Sequence, residues 1–519
     1  MCEKNREILK RNNMRLRDCI ILFGLIAIVS SQTSTFAQKR SEKRGVSESS
    51  FSDEAEIKSL SSGVSWYYDW GPTPNNAVKG VVGPGKDMDY VPMTWNGGFD
   101  ENKIRQYFTD HPGAKYLLGF NEPNFKAQAN MTPKQAAEIW PRLEKIAEDF
   151  DLELVGPALN YSPDAPYQNP TTWYDEFFKA YPNARVDYLA LHCYMVQPAA
   201  VMDFIDGIAK RYNKKIWLTE FCAWDGMQDN AETYNIQRKT MTQKLEALEL
   251  SPNVAKYAWF KAKGLNSLPY YRLMLYSSEA ASGGEAGILS ELGQIYVNMS
   301  SFDMDHYYTT DDVIPATNYI QSSYSSLELN SDESSPFKLQ WEAFGMGCTA
   351  TYLIDVPEAG TYPLSIRIAS VAERYAPNIE IYSDDNLLST VEIPETGSTD
   401  KWETRIINID LPAGKQRLTL KSKKNTTCKI NWISLSGTPS KIIDKVMPNK
   451  ISIRKEGATL YADTEQEVKS FMVSDMGGRT LVSINKRNHI DVSSISSGVY
   501  LVTVSLADGT TRTVKQIIE

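Results

Sequence analysis

An α/β fold, a (β/α)8 barrel of the TIM type followed by an all-β sandwich and a small all-β C-terminal domain, is predicted by three features of this 519-residue chain. Between residues 62 and 300, eight hydrophobic strand-like runs alternate with helical stretches, the pattern of a parallel barrel. From residue 303 to 437 the helices stop and short alternating strands separated by Gly, Pro, Asn and Asp turns take over, which reads as a sandwich. After a linker at 438–450, residues 451–519 form a third run of strands rich in Ser, Thr and Val.

Taken in order, the chain opens with Lys4, Arg6, Lys10, Arg11, Arg15 and Arg17, then an apolar run from Ile20 to Val29 and a small-residue stretch ending at Ala37. That is the order of a signal peptide over residues 1–37, with cleavage expected after Ala37. The apolar run is short for a membrane span, and no later segment offers the ~20 apolar residues a span needs. A charged, Ser-rich leader continues to about residue 60. The barrel strands are then expected at Gly63–Trp70, Asp89–Trp95, Tyr116–Asn121, Leu152–Ala158, Val186–Tyr194, Ile216–Phe221, Val254–Phe260 and Tyr271–Tyr276. Among the helices, Pro133–Phe150 is the clearest, because Thr132 can cap it and Pro133 suits its first turn.

Loss of the leader removes six basic and three acidic side chains, taking the formal charge from -9 to -12. So acidic a chain is a poor partner for nucleic acid or anionic lipid. Eleven Trp and twenty-eight Tyr suit sugar rings, whose C–H faces stack on aromatic planes. Four cysteines remain, Cys193, Cys222, Cys348 and Cys428, without a CxxC pair and with four His in the chain, so no metal site is expected. In an oxidising compartment Cys348 and Cys428, both on sandwich strands, are expected to bridge. Cys193 and Cys222 are read as two buried thiols or a second pair, with thiols favoured.

The chemistry points to GFNEPN and IWLTEF, which place Glu122 and Glu220 at the ends of two strand-like runs 98 residues apart. Carboxylates at the carboxyl edge of barrel strands lie where such folds keep their active sites. Retaining cleavage of a glycosidic bond needs two carboxyl groups ~5–5.5 Å apart, one a nucleophile and one that first donates and then removes a proton. Glu122, preceded by Asn121 as a partner for a sugar 2-hydroxyl, is the expected acid/base, and Glu220 the nucleophile. Other strand ends supply candidate substrate contacts: Trp66, Tyr68, Trp70, Trp95, Asn96, Asn160, Tyr161, His192, Tyr194, Trp224 and Trp259, of which Trp66 and Trp259 lie inside strands and could instead fill the barrel. The chemistry calls for no cofactor. Other β-linked polysaccharides, or a surface protein that binds glycan without turnover, are the competing readings.

The ordered strings WYYDWGPTP, YVPMTWN, YLLGFNEPN, QANMTPKQAAEIWP, VDYLALHCY, IWLTEF, YAWF and LGQIYVNM resemble glycoside hydrolase family 128. The resemblance implies a clan A barrel acting as a retaining endo-β-1,3-glucanase on laminarin- or curdlan-type glucan, with Glu122 as acid/base and Glu220 as nucleophile. Clan A sets these on the fourth and seventh strands, whereas the strands counted above set them on the third and sixth. Either an early strand is missing from the count or the barrel starts irregularly. GCTATYLIDVPEAGTYPLSIRIAS, LPAG and INWISL resemble carbohydrate-binding module family 6. There Trp402 matches a ligand-stacking Trp, but Thr349 replaces the expected aromatic and Lys429 the expected Asn. SDMGGRTL and DVSSISSGVYLVTV resemble the C-terminal sorting domain of type IX secretion. This implies a chain handed to that machinery and released, or held at the surface, beyond the outer membrane of a Gram-negative bacterium. It is expected to work as a monomer.

Overall fold

The structure is a computed structural model that describes residues 38–436 and 452–518, apart from 225–226, 266–268, 276–284, 372–377, 394, 424–427, 465–466, 476–478 and 508–510. The expected signal peptide and linker lie outside the described residues. Residues Gln38–Ile443 make one compact unit that holds the barrel and the sandwich, and the sorting domain falls in a second.

Eight parallel strands build the barrel: β1 Arg44–Ser47, β2 Trp66–Tyr68, β3 Asp89–Tyr90, β4 Tyr116–Leu118, β5 Glu153–Leu159, β6 Tyr188–Cys193, β7 Ile216–Phe221 and β8 Val254–Phe260. β1 pairs with both β2 and β8, and a parallel bridge between Met93 and Leu118 joins the β3 and β4 sides. β1 corrects the strand count, because Arg-Gly-Val-Ser sits in the segment read as leader and the barrel therefore reaches upstream of residue 62. The Tyr271–Tyr276 run is no barrel strand: a 3-10 turn covers Pro269–Tyr271, and Met274 bridges antiparallel to Leu289. With β1 restored, Glu122 follows β4 and Glu220 lies on β7, which resolves the mismatch with the clan A numbering.

Residue types explain β1. Gly45 faces the barrel interior, where a Cβ would lie 2.2 Å from the Trp66 indole, so only glycine lets that ring pack. Arg44 is buried, with its guanidinium donating to Tyr257 Oη at 3.1 Å, Tyr296 O at 2.8 Å and Ser300 O at 2.7 Å. A buried charge is tolerated only with such full pairing.

Helices cover the outside: α1 Glu54–Ser61, α2 Glu101–Asp110, α3 Pro133–Phe150, α4 Pro170–Ala180, α5 Pro198–Tyr212, α6 Ala231–Leu250 and α7 Glu291–Asn298. α3 has the bounds expected, and Thr132 with Gln135 forms a capping box at its start. α6 is weakly amphipathic in sequence because both faces are covered, one by the barrel and one by the sandwich. On the sandwich side Arg238 donates to Leu327 O at 3.1 Å and to Glu342 Oε1 at 2.6 Å. Further along, Thr242 Oγ1 donates to Ser325 O at 3.1 Å, and Glu246 accepts from the Ser322 backbone N–H at 2.6 Å.

The sandwich has two sheets. One runs Leu327–Leu329, Leu339–Phe344, Cys428–Ser434, Gly360–Ser370 and Ser398–Leu411, and the other Gln321–Ser323, Thr349–Val356, Gly414–Ser422, Asn378–Ser383 and Asn386–Glu392. Cys348 and Cys428 stand as buried thiols, which corrects the expected bridge. Each thiol contacts a backbone carbonyl instead, Cys348 that of Ala343 at 3.7 Å and Cys428 that of Phe344 at 3.9 Å. The sorting domain has a three-stranded and a four-stranded sheet around a core that includes Phe471, Val473, Val502 and Val504.

Candidate active site

A cleft of about 490 Å³ opens among the residues that follow the barrel strands. Trp70 lines it after β2, Trp95 after β3, Asn121, Glu122, Phe125 and Gln128 after β4, and Asn160 and Tyr161 after β5. Tyr194 follows β6, Glu220 lies on β7 with Trp224 beyond it, and Phe260 ends β8.

Each glutamate is aimed by a local irregularity. Trp217 points into the barrel while Leu218 and Phe221 pack outside it, so simple alternation would turn Glu220 outward. Register shifts on both sides of this stretch of β7 bring Glu220 back to the inside, the re-aiming that bulges perform. Glu122 adopts a left-handed backbone, φ 44°, which costs a non-glycine residue ~1–2 kcal/mol. Its N–H donates to Ala158 O at 2.9 Å, and its carbonyl accepts from Phe125 N–H at 2.9 Å, which hold it there.

The two carboxyl groups meet. A carboxylate oxygen of Glu122 and one of Glu220 lie within 4.8 Å of each other, with a ring nitrogen of His192 in the same cluster. His192 Nδ1 is 2.9 Å from Glu122 Oε1 and 3.4 Å from Glu220 Oε2. Glu220 Oε1 accepts from Tyr68 Oη at 3.2 Å and from Trp70 Nε1 at 2.9 Å, and Oε2 accepts from the Tyr194 hydroxyl.

These contacts set the charges. Burial, and after it the charge of Glu220, hold Tyr68 and Tyr194 far above the usual phenol range, so both stay protonated donors. Burial alone would lower His192, but the field of Glu220 and the hydrogen bond and charge of Glu122 outweigh it and raise the imidazole. Burial pushes Glu220 above the ordinary 4.5, while His192, Tyr194 and Trp70 pull against that rise. Donors thus gather on Glu220, where they favour its ionised form. Among the described residues, Glu122, His192 and Glu220 are also close enough to share a cation, but one bound there would take the place of the proton that carboxylate chemistry uses.

Other expected contacts fall in three places. Asn121, Trp95, Asn160, Tyr194 and Trp224 line the cleft, and Tyr68 and His192 lie buried beneath its carboxylates. Trp66 and Trp259 reach no part of it, a correction. Trp66 forms the barrel floor with Trp217, stacks below Tyr68 and donates Nε1–H to Lys43 O at 3.0 Å. Trp259 points outward and donates to Tyr271 O at 2.7 Å. Trp402 lies on the sandwich strand Ser398–Leu411, 3.3 Å from Ser331 Oγ. Lys429, where an Asn was expected, is paired with Glu328 Oε1 at 2.8 Å. Phe125, Gln128 and Phe260 were missed; Ala258 faces inward, so strand parity alone would have chosen Phe260 over Trp259. Trp66→Ala is accordingly expected to cost ~3–5 kcal/mol of stability by leaving a cavity. Denaturant unfolding should show that loss, with the KM of the folded variant unchanged.

Residues 45–296 match the glycosyl hydrolase catalytic core family, residues 292–437 the carbohydrate binding module (family 6), and residues 449–519 the secretion system C-terminal sorting domain. A solved family 128 (subgroup II) endo-beta-1,3-glucanase from Pseudomonas viridiflava is 35% identical, over 50% of this chain and 98% of that one, with a TM-score of 0.44. One from Sorangium cellulosum is 33% identical, over 49% and 97%, with a TM-score of 0.42. Alkali-sensitive linkage protein 1 of Schizosaccharomyces pombe is 28% identical over 46% of this chain and 41% of its own length. The chain spans less than half the length of the curated relatives it matches. The sorting domain marks the chain for type IX secretion to the cell surface or the extracellular space. Identity above 30% across nearly all of a solved relative, together with the catalytic-core match, places this chain among the glycoside hydrolases, its barrel in family 128.

Proposed function

We propose that the barrel is a retaining endo-β-1,3-glucanase in which Glu220 is the nucleophile and Glu122 the acid/base. The observation that carries the mechanism is the close approach of the two carboxyl groups, with an oxygen of one within 4.8 Å of an oxygen of the other. Retaining enzymes need ~5–5.5 Å, whereas inverting enzymes keep ~6.5–9.5 Å to admit a water. The linkage reading is supported by the relatives at 35% and 33% identity, both endo-beta-1,3-glucanases.

In the first step Glu220 attacks the anomeric carbon while Glu122 gives its proton to the departing glycosidic oxygen. Donors from Tyr68, Trp70 and Tyr194 stabilise the negative charge that Glu220 carries as nucleophile, against the burial that raises its pKa. In the second, ionised Glu122 takes a proton from water as that water displaces Glu220 from the sugar. Asn121 Oδ1 is buried without a partner, an acceptor free to take a sugar hydroxyl. Trp224 and Phe260, stacked at 5.7 Å, give the cleft an aromatic wall of the kind that packs against pyranose faces. The sandwich serves as a carbohydrate-binding module working through Trp402.

Incubation with laminarin, curdlan, xyloglucan and mixed-linkage glucan, followed by measurement of new reducing ends, tests the reading. Release from laminarin and curdlan is expected. Release from β-1,4-linked chains alone would sink the β-1,3 assignment, and no release from any substrate would favour a non-catalytic glycan binder.

A further inference from the structure

Trp70 combines three features that together go beyond supplying one of the donors to Glu220. Its backbone is left-handed, φ 62°, a conformation that costs a bulky residue ~1–2 kcal/mol. Its indole lines the cleft, set edge-on to Tyr68 at 5.2 Å and to Phe260 at 6.0 Å. Its Nε1–H donates to Glu220 Oε1 at 2.9 Å.

The strained backbone is braced on both sides. Asp69 Oδ1 accepts from the Gly71 backbone N–H at 3.0 Å, and Tyr90 Oη lies 2.6 Å from Asp69 Oδ1 and 2.8 Å from Gly71 O. Tyr90 stands on β3, its ring packed edge-on between Tyr67 and Tyr107, and it is buried. One phenol of the barrel wall thus ties together the residues on either side of Trp70.

We propose that Trp70 is a positioning residue for the nucleophile, held in a strained backbone by the Asp69–Tyr90–Gly71 clamp so that its indole N–H fixes Glu220 while its ring borders the sugar. The proposal rests on the reading of Glu220 as nucleophile. Tyr68 and Tyr194 alone would leave the carboxylate held by two phenols that reach it from β2 and β6. The indole adds a rigid third donor on the oxygen that Tyr68 shares, and it restricts rotation of the carboxylate plane. The groups that face Glu220 are Tyr68 from β2, Glu122 from beyond β4, and His192 and Tyr194 from β6 and its end. None of these residues is itself replaced in a variant at position 70, and Tyr68, whose ring meets that of Trp70 at 5.2 Å, is the one in contact with it.

Trp70→Phe keeps an aromatic ring at the cleft and removes the N–H donor together with the pyrrole part of the indole. A hydrogen bond to a charged group is worth enough that kcat on laminarin should fall ~10- to 100-fold, with KM within about two-fold of its original value. Because a donor to the ionised form is lost, the acid limb of the kcat/KM profile should move to higher pH. Tyr90→Phe, which loosens the clamp but leaves Trp70 in place, should show a smaller fall in kcat with the same direction of shift. This second variant decides the matter if Trp70→Phe does not fold. Unchanged kcat and an unmoved acid limb, or a rise in KM alone, would overturn the proposal. Glu220→Ala with azide separates the two layers. If azide rescues that variant and Trp70→Phe is neutral, only the role of Trp70 falls. If azide does not rescue it, the nucleophile reading falls, and the role of Trp70 with it.

Discussion

Glu220→Ala is expected to lower kcat on laminarin by at least ~10⁴-fold, the scale on which hydrolases lose turnover when their nucleophile is removed. Azide should restore turnover with an activated aryl β-glucoside or laminaribioside. It enters the space left by the carboxylate and attacks from the same side. The product is then a glycosyl azide of inverted, α configuration, which NMR identifies. The three donors that converge on Glu220 from Tyr68, Trp70 and Tyr194 remain in place to receive the anion. Activity retained without azide would end the assignment.

Glu122→Gln is expected to act differently. Loss of a general acid costs ~10²–10⁴-fold where the leaving group needs a proton, so polysaccharide cleavage should fall by that amount. Aryl glycosides with good leaving groups need no such help, and their first step should continue. The glycosyl-enzyme then accumulates because no base activates water, giving a burst of phenol in stopped-flow measurements. Azide, needing no base, should relieve the block and yield the azide of retained, β configuration. A variant that lost both substrate classes equally would indicate a role other than proton transfer.

Much of this arrangement was legible because strands and helices announce themselves by period and punctuation. Ile216–Phe221, Val254–Phe260 and Pro133–Phe150 have the bounds expected from sequence. β1 was hidden because its four residues include a charge and a glycine. Arg44 is buried because Tyr257, Tyr296 and Ser300, with Glu249 as counter-charge at 3.6 Å, all more than 200 positions away in sequence, supply its partners. No local pattern carries that information. Its omission shifted the strand count by one and left the glutamates on the wrong strands by number, although their spacing of three strands was right.

The errors at Trp66 and Trp259 have a different cause. Their positions inside strands left both barrel filling and sugar contact open, and the sequence does not show which layer or face each ring occupies. Trp66 shares the inward face with Tyr68 but packs against Trp217, which Tyr116 meets edge-on. Trp259 is the outward neighbour of inward Ala258. The bulge that aims Glu220 and the left-handed backbones of Glu122 and Trp70 leave no mark on composition at all. Local rules fail where side chains are placed for chemistry rather than for packing. Thr349 and Lys429 were readable as departures from a binding-module pattern, and the ion pair between Lys429 and Glu328 shows what that position does instead.

Trapping the glycosyl-enzyme tests the central assignment most directly. A 2-deoxy-2-fluoro-β-laminaribiosyl fluoride slows both steps but slows release of the enzyme more, so the intermediate should persist. Intact mass spectrometry should show one added disaccharide unit per chain, and peptide mapping should place it on Glu220. NMR of the early products from an unmodified substrate should show the β anomer. A label on any other residue, or an α product formed first, would contradict the assignment of Glu220 as the nucleophile of a retaining glycosidase.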